Sequence, residues 1–170
     1  MSLPALDKMW PNLPLGAPSS VVTLVGGHIG KSITTNNWDT CCVRVSRALN
    51  YSGAAVAGFA GLPNRYMAPG THVRAQQGAD KKWYIFSVYD MRVYLTHKYG
   101  NPKIFKGTAT ASDLAGVSGI ILFGFVHADL WDGTDTRYHD DFGHPKVKAE
   151  GILVWHADKT SAPAKAATAP

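Results

Sequence analysis

The two cysteines of this chain, Cys41 and Cys42, are neighbours in sequence. A bridge between adjacent residues strains the backbone, so no disulfide framework is at hand and the fold must be held by packing alone. With 170 residues, 45 % of them hydrophobic and 17 % charged, there is material for one substantial core, and the chain is short for two. One domain is expected over residues 1–158. A disordered tail is expected over 159–170, where Ala, Thr, Lys and Pro show no apolar periodicity. No apolar stretch approaches the roughly 20 residues of a membrane span, and residues 1–16 carry prolines and polar residues rather than an apolar export core.

The net charge of +5 permits attraction to nucleic acid, anionic lipid or an acidic polymer. The basic residues are scattered, however, and only Lys81-Lys82 and Lys146-Val147-Lys148 are locally dense. Without an arginine-rich helix or a nucleic-acid motif, this charge reads as a solvated surface and not as a nucleic-acid interface. Gly30-Lys31-Ser32 imitates the end of a phosphate loop, but the preceding glycine, Gly26, is misplaced by one residue, so no nucleotide cofactor is expected. No metal is expected either, because adjacent cysteines chelate one zinc ion awkwardly and ligands commonly come as pairs two to four residues apart.

Along the chain, Pro4, Pro11, Pro14 and Pro18 punctuate an opening third that reads as loops with one short helix around Leu6 to Trp10. A helix is expected from Cys41 to Leu49, where Val45, Ala48 and Leu49 recur at helical spacing, Asp39 or Thr40 can cap the start, and Asn50 to Gly53 supplies a stop. Residues 54–80, rich in Gly and Pro, read as a long loop region. A second helix is expected from Ser87 to Tyr99, ended by Gly100 and Pro102. Gly119 to Val126 is a β-branched and aromatic run that continues through His127 to Trp131, and Asp132-Gly133 is a two-residue turn signal. Gly151 to His156 supplies a last strand.

Cys41 is the residue with chemistry in it. A thiol in the first turn of a helix faces unpaired N–H groups and the positive end of the dipole, which favour the nucleophilic thiolate. If Asp132-Gly133 is a tight turn, Trp131 pairs with Thr134, His127 falls opposite Tyr138, and Asp129 and Asp140 share the face of His127. A carboxylate there can accept the second ring N–H of His127, fixing its tautomer. Asp140, a cross-strand neighbour, is favoured over Asp129. Cys41, His127 and Asp140 thus supply nucleophile, acid–base and orienting group. The Cys41 N–H, with the side chain of Asn37 or Asn36, is the candidate oxyanion donor. Cys42 is expected to face the core as a small hydrophobe and to be dispensable. His28, His72, His97, His139, His144 and His156 read as surface or capping residues.

Three stretches carry a resemblance: Gly26-Gly27-His28-Ile29-Gly30, Asp39-Thr40-Cys41-Cys42-Val43-Arg44-Val45-Ser46-Arg47-Ala48-Leu49-Asn50-Tyr51-Ser52-Gly53 and Val126-His127-Ala128-Asp129-Leu130-Trp131-Asp132-Gly133. Together they make the chain, over roughly 5–156, resemble the type VI secretion amidase effectors, family four. The resemblance implies an α+β fold with a papain-like cysteine peptidase core of the NlpC type, in which the helix bearing the nucleophile packs on an antiparallel sheet. It further implies cleavage of the D-glutamyl-meso-diaminopimelate bond of peptidoglycan stem peptides in the periplasm of a target cell. An antibacterial toxin of this kind leaves the producer's cytoplasm through the secretion apparatus and is blocked by a cognate immunity protein. Two departures stand out: Phe125-Val126 precede His127 where the family has a glycine, and the segment from Thr134 to Asp141 offers three acidic candidates for the third catalytic residue. The competing readings are a non-catalytic cell-wall or protein-binding module on the same scaffold, and a thiol acyltransferase with the same triad.

Overall fold

Backbone geometry at the first helices follows from Pro and Gly placement in a computed structural model that describes residues 1–159. After a short helix α1 (Leu6–Met9) and a single 3-10 turn over Trp10–Asn12, Pro18 opens α2 (Pro18–Val25) at the position where its fixed φ suits a helix and its missing N–H costs nothing. Gly26 and Gly27 then take φ of 51° and 61°, which lets the chain turn at once into α3 (Gly27–Asn36). These two helices occupy much of what the sequence suggests is loop. Their buried apolar side is Val21, Val25, Ile29 and Ile33 with Val22 packed beside them, too sparse a stripe to stand out between polar residues.

Helix α4 (Cys41–Asn50) is the centre of the molecule, buried along its whole length except at Arg47. Val43 faces α2 and α3, while Cys42, Val45, Ala48 and Leu49 face the main core. A ten-residue helix is marginal alone, so tertiary burial must hold it, at ~1.5–3 kcal/mol for each fully buried Val or Leu. Its polar residues are used as ties. The Ser46 hydroxyl donates to the Ile85 carbonyl and accepts from the Ile85 N–H, and Asn50 Nδ2 donates to the Trp83 carbonyl, fixing α4 to strand β2 (Trp83–Ile85). Strand β1 (Ala75–Gln77) pairs antiparallel with β2.

Residues 54–80 are otherwise irregular, in line with their Gly and Pro content. Two points of this segment are tied to one buried carboxylate on α5 (Val88–Tyr99). Asn64 Nδ2 donates to Asp90 Oδ1 at 2.7 Å, and the Arg74 guanidinium donates to Asp90 Oδ2 at 3.0 Å. Gly100, at φ 85°, ends α5.

A four-stranded antiparallel sheet follows, in the order β3 (Lys103–Phe105), β6 (Ile152–His156), β4 (Gly119–Phe123), β5 (His127–Trp131), with α6 (Pro145–Glu150) leading into β6. The run from Gly119 to Trp131 is two strands and not one. It reverses over Gly124, Phe125 and Val126, where Gly124 takes φ 56°, and Phe123 pairs with His127. Both faces of β4 are buried, so its residues are apolar without alternation, and the reversal leaves no polar signature. Ile120, Leu122, Ala128 and Leu130 belong to the core shared with α4 and α5. Ile121, Phe123, Trp131 and Val154 form a second cluster with Leu114 and Val147. Among the described residues no helix is long and apolar enough to cross a membrane. The expected tail lies outside the described residues, apart from its first residue, Lys159.

Candidate active site

Thr40, with φ −102° and ψ 0°, leads the chain into α4 and puts Cys41 at the first helical position. The thiol is only 4 % exposed. Helix α4 packs across β5, whose first residue is His127, also buried, and the imidazole and the Cys41 thiol act on one another's charge. Two residues further along the strand, on the same face, Asp129 directs Oδ2 toward His127 Nε2 at 3.7 Å. Nε2 is the ring nitrogen turned to the carboxylate.

Asp129 is 1 % exposed and anchored by backbone donors. Its Oδ1 accepts from Leu130 N at 2.7 Å, and its Oδ2 accepts from Tyr138 N at 2.9 Å and His139 N at 2.8 Å. Asp140, the residue favoured by a tight-turn count, is exposed and accepts from the N–H of Phe142. The count fails because the turn is longer. Asp132 Oδ1 accepts from Thr134 N, Thr134 Oγ1 and Asp135 N, so the side chain builds a broad turn and Trp131 pairs with Thr136 instead of Thr134. Beyond Arg137, whose N–H donates to Leu130 O, the return segment leaves the strand direction, and its next two N–H groups turn to the Asp129 carboxylate.

The electrostatics favour an ion pair. The Cys41 thiol is lowered to about 7, chiefly by the Cys42 thiol, whose sulfur lies 3.9 Å away. Burial opposes that shift, His127 adds to it, and the charge of Asp39 works against it. Burial also pulls His127 down, but the Asp129 carboxylate and the Cys41 sulfur outweigh it and raise the imidazole to about 10. Between those two values the resting pair is thiolate and imidazolium. Burial of Cys42, reinforced by the negative charge developing on Cys41, pushes its own pKa well above the usual value.

The expected oxyanion donors are placed less simply. Cys41 N donates to Asp39 Oδ1 at 2.7 Å, an Asx turn that occupies the donor. Asn36 Nδ2 donates to Ser32 O, and Asn37 closes α3 in a left-handed conformation at φ 51°.

A cleft of about 620 Å³ opens at this site, lined by Pro18, Asp39 and Thr40, by Val126 and His127, and by Tyr138, His139 and Asp141. His139 stands edge-on to His127 at 5.6 Å between centroids and approaches Asp141 at 3.8 Å. Among the described residues no three His, Cys, Asp or Glu side chains converge on a point where a metal ion would sit.

Arg44 escapes sequence reasoning. It is buried, with Nε donating to Thr40 Oγ1 at 3.1 Å and its two terminal nitrogens donating to Pro14 O at 2.6 Å and Gly16 O at 2.7 Å. Its guanidinium also lies 3.9 Å from the centre of the Tyr138 ring. One side chain thus joins the nucleophile's turn to the N-terminal loop and the far wall of the cleft. The signal is there in retrospect: a charge between Val43 and Val45 on an otherwise apolar helix has to find partners.

The family model described as type VI secretion system amidase effector protein 4 matches residues 38–155. The fold is similar to that of Tae4 from Salmonella Typhimurium in its effector–immunity complex with Tai4. That similarity has a TM-score of 0.73 at 28 % identity and covers 91 % of this chain and 98 % of the other. Salmonella typhimurium Tae4 in complex with Tai4 from Enterobacter cloacae is similar at a TM-score of 0.71 and 26 % identity, over 91 % and 99 % of the two chains. Tae4 from Enterobacter cloacae is similar at 0.71 and 25 %, over 93 % and 100 %. No curated protein sequence matches.

Proposed function

Since this chain belongs to the amidase effector protein 4 family of type VI secretion, we propose that it is a cysteine peptidase that hydrolyses the D-glutamyl-meso-diaminopimelate amide of peptidoglycan stem peptides. What carries this reading is the buried Cys41–His127–Asp129 arrangement beneath an open cleft. The Cys41 thiolate attacks the amide carbonyl, forming a C–S bond while the carbonyl π electrons move to oxygen. Collapse of that oxyanion breaks the C–N bond, and the proton on His127 goes to the departing amine. Water then attacks the thioester as His127 takes its proton, and collapse of that second tetrahedral adduct breaks the C–S bond, releasing the acid and restoring the thiolate beside protonated His127. Asp129, in place of Asp140, orients the imidazole and favours its protonated form throughout.

Secretion into a rival cell, action in its periplasm, and inhibition by an immunity protein of the kind seen bound to the Salmonella relative complete the proposal. The assay incubates isolated peptidoglycan with the protein and with Cys41→Ala, and follows newly freed amino groups by mass spectrometry. Product from the native protein and none from the variant is expected. Equal product from both would end the assignment.

A further inference from the structure

Cys42 is fully buried, in the core cluster that also holds Val45, Leu49 and the sheet residues Leu122 and Ala128. Yet its sulfur lies 3.9 Å from the Cys41 sulfur, a contact in which the neutral Cys41 thiol donates and which can only run the other way once Cys41 is a thiolate. We propose that Cys42 is a positioning residue that donates its S–H to the Cys41 thiolate, fixing the charge and aim of the nucleophile from the core side while His127 does so from the cleft side. This rests on the thiol-hydrolase reading above.

The chemistry of the pair is asymmetric. Both sulfurs are buried, but only Cys41 has an imidazole beside it, so Cys41 is the one to ionise. Cys42 stays protonated and therefore has a hydrogen to give over the whole range in which its neighbour is a thiolate. The other charged groups around the two sulfurs are His127 with Asp129 on β5, Asp39 before α4, Arg44 one turn along it, and Asp90 on α5. Asp39 and Asp90 disfavour negative charge here, which makes a donor on the core side more valuable.

The test uses the whole protein, Cys42→Ala, Cys42→Val and Cys42→Ser, each checked for folding by thermal unfolding. The rate of Cys41 carbamidomethylation by iodoacetamide is measured against pH, with the modified peptide identified by mass spectrometry. Loss of a hydrogen bond to a charged group should raise the alkylation midpoint in Cys42→Ala by about one unit, a roughly tenfold slower reaction at pH 6. Cys42→Val, which keeps the volume, should shift equally, and Cys42→Ser, which keeps a donor, should recover most of the rate. Profiles for Ala and Val that superimpose on the native one would overturn the proposal. So would a serine variant shifted as far as alanine, since that makes the effect one of packing. Failure of the hydrolase reading shows separately, as native protein that leaves peptidoglycan uncut.

Discussion

Replacing Asp129 by asparagine removes one charge beside His127 while keeping an oxygen for the N–H groups of Tyr138 and His139. At the observed 3.7 Å, Coulomb's law with an effective dielectric near 20 gives about 4 kcal/mol between the carboxylate and the imidazolium. Because that carboxylate already shares its charge with backbone donors, about 2–3 kcal/mol is expected as the differential effect, or roughly two pH units. The sign follows from which form is favoured: Asp129 stabilises protonated His127, so its removal lowers the imidazole from about 10 toward 8. Above its new value His127 has no proton for the leaving amine, and the alkaline limb of kcat/KM should move down by about two units. The acid limb, set by Cys41, should move less. Stability measured by urea denaturation should fall by about 1–3 kcal/mol as charge-assisted bonds become neutral ones. Asp140→Asn, at an exposed side chain whose bond is to Phe142 N, should leave both limbs in place. If Asp140→Asn shifts the alkaline limb and Asp129→Asn does not, the role given to Asp129 is wrong.

Other perturbations probe the parts around it. Asp39→Asn keeps an acceptor for Cys41 N but removes a charge that opposes thiolate formation, so the alkylation midpoint of Cys41 should fall below its value of about 7. An upward move would refute that sign. Arg44→Met strips donors from Pro14 O, Gly16 O and Thr40 Oγ1 at once and should cost about 2–4 kcal/mol in urea denaturation. A loss below about 0.5 kcal/mol, typical of a surface change, would show that the guanidinium is not a structural tie.

How much of this could be read in the sequence depends on how local each signal was. Helices α4 and α5 announce themselves because apolar spacing, a start signal and a terminating Asn or Gly agree over ten residues or so. Cys41 is found from its place at a helix start, which is a property of a few neighbours. The partnership of His127 with Asp129 and not Asp140 is different, since it depends on how Asp132 shapes a turn, and one side-chain bond there shifts the pairing by two residues. Short strands such as β1 and β3, at three residues each, carry no periodicity to detect. Cys42 faces the core as the sequence suggests, whereas Arg44 misleads: it looks like a surface charge until the third dimension supplies its partners.

A single carboxylate, Asp129, both faces the imidazole and stitches the 138–139 backbone to the strand beneath it. Insertions or deletions between 132 and 139 would therefore disturb acid–base chemistry along with loop shape, and that wall is closed to evolutionary tinkering. The 54–80 segment gives Asp129 none of its hydrogen bonds. Tied through Asn64 and Arg74 to Asp90, it can change in length between those two anchors without breaking a bond to the carboxylate that faces the imidazole.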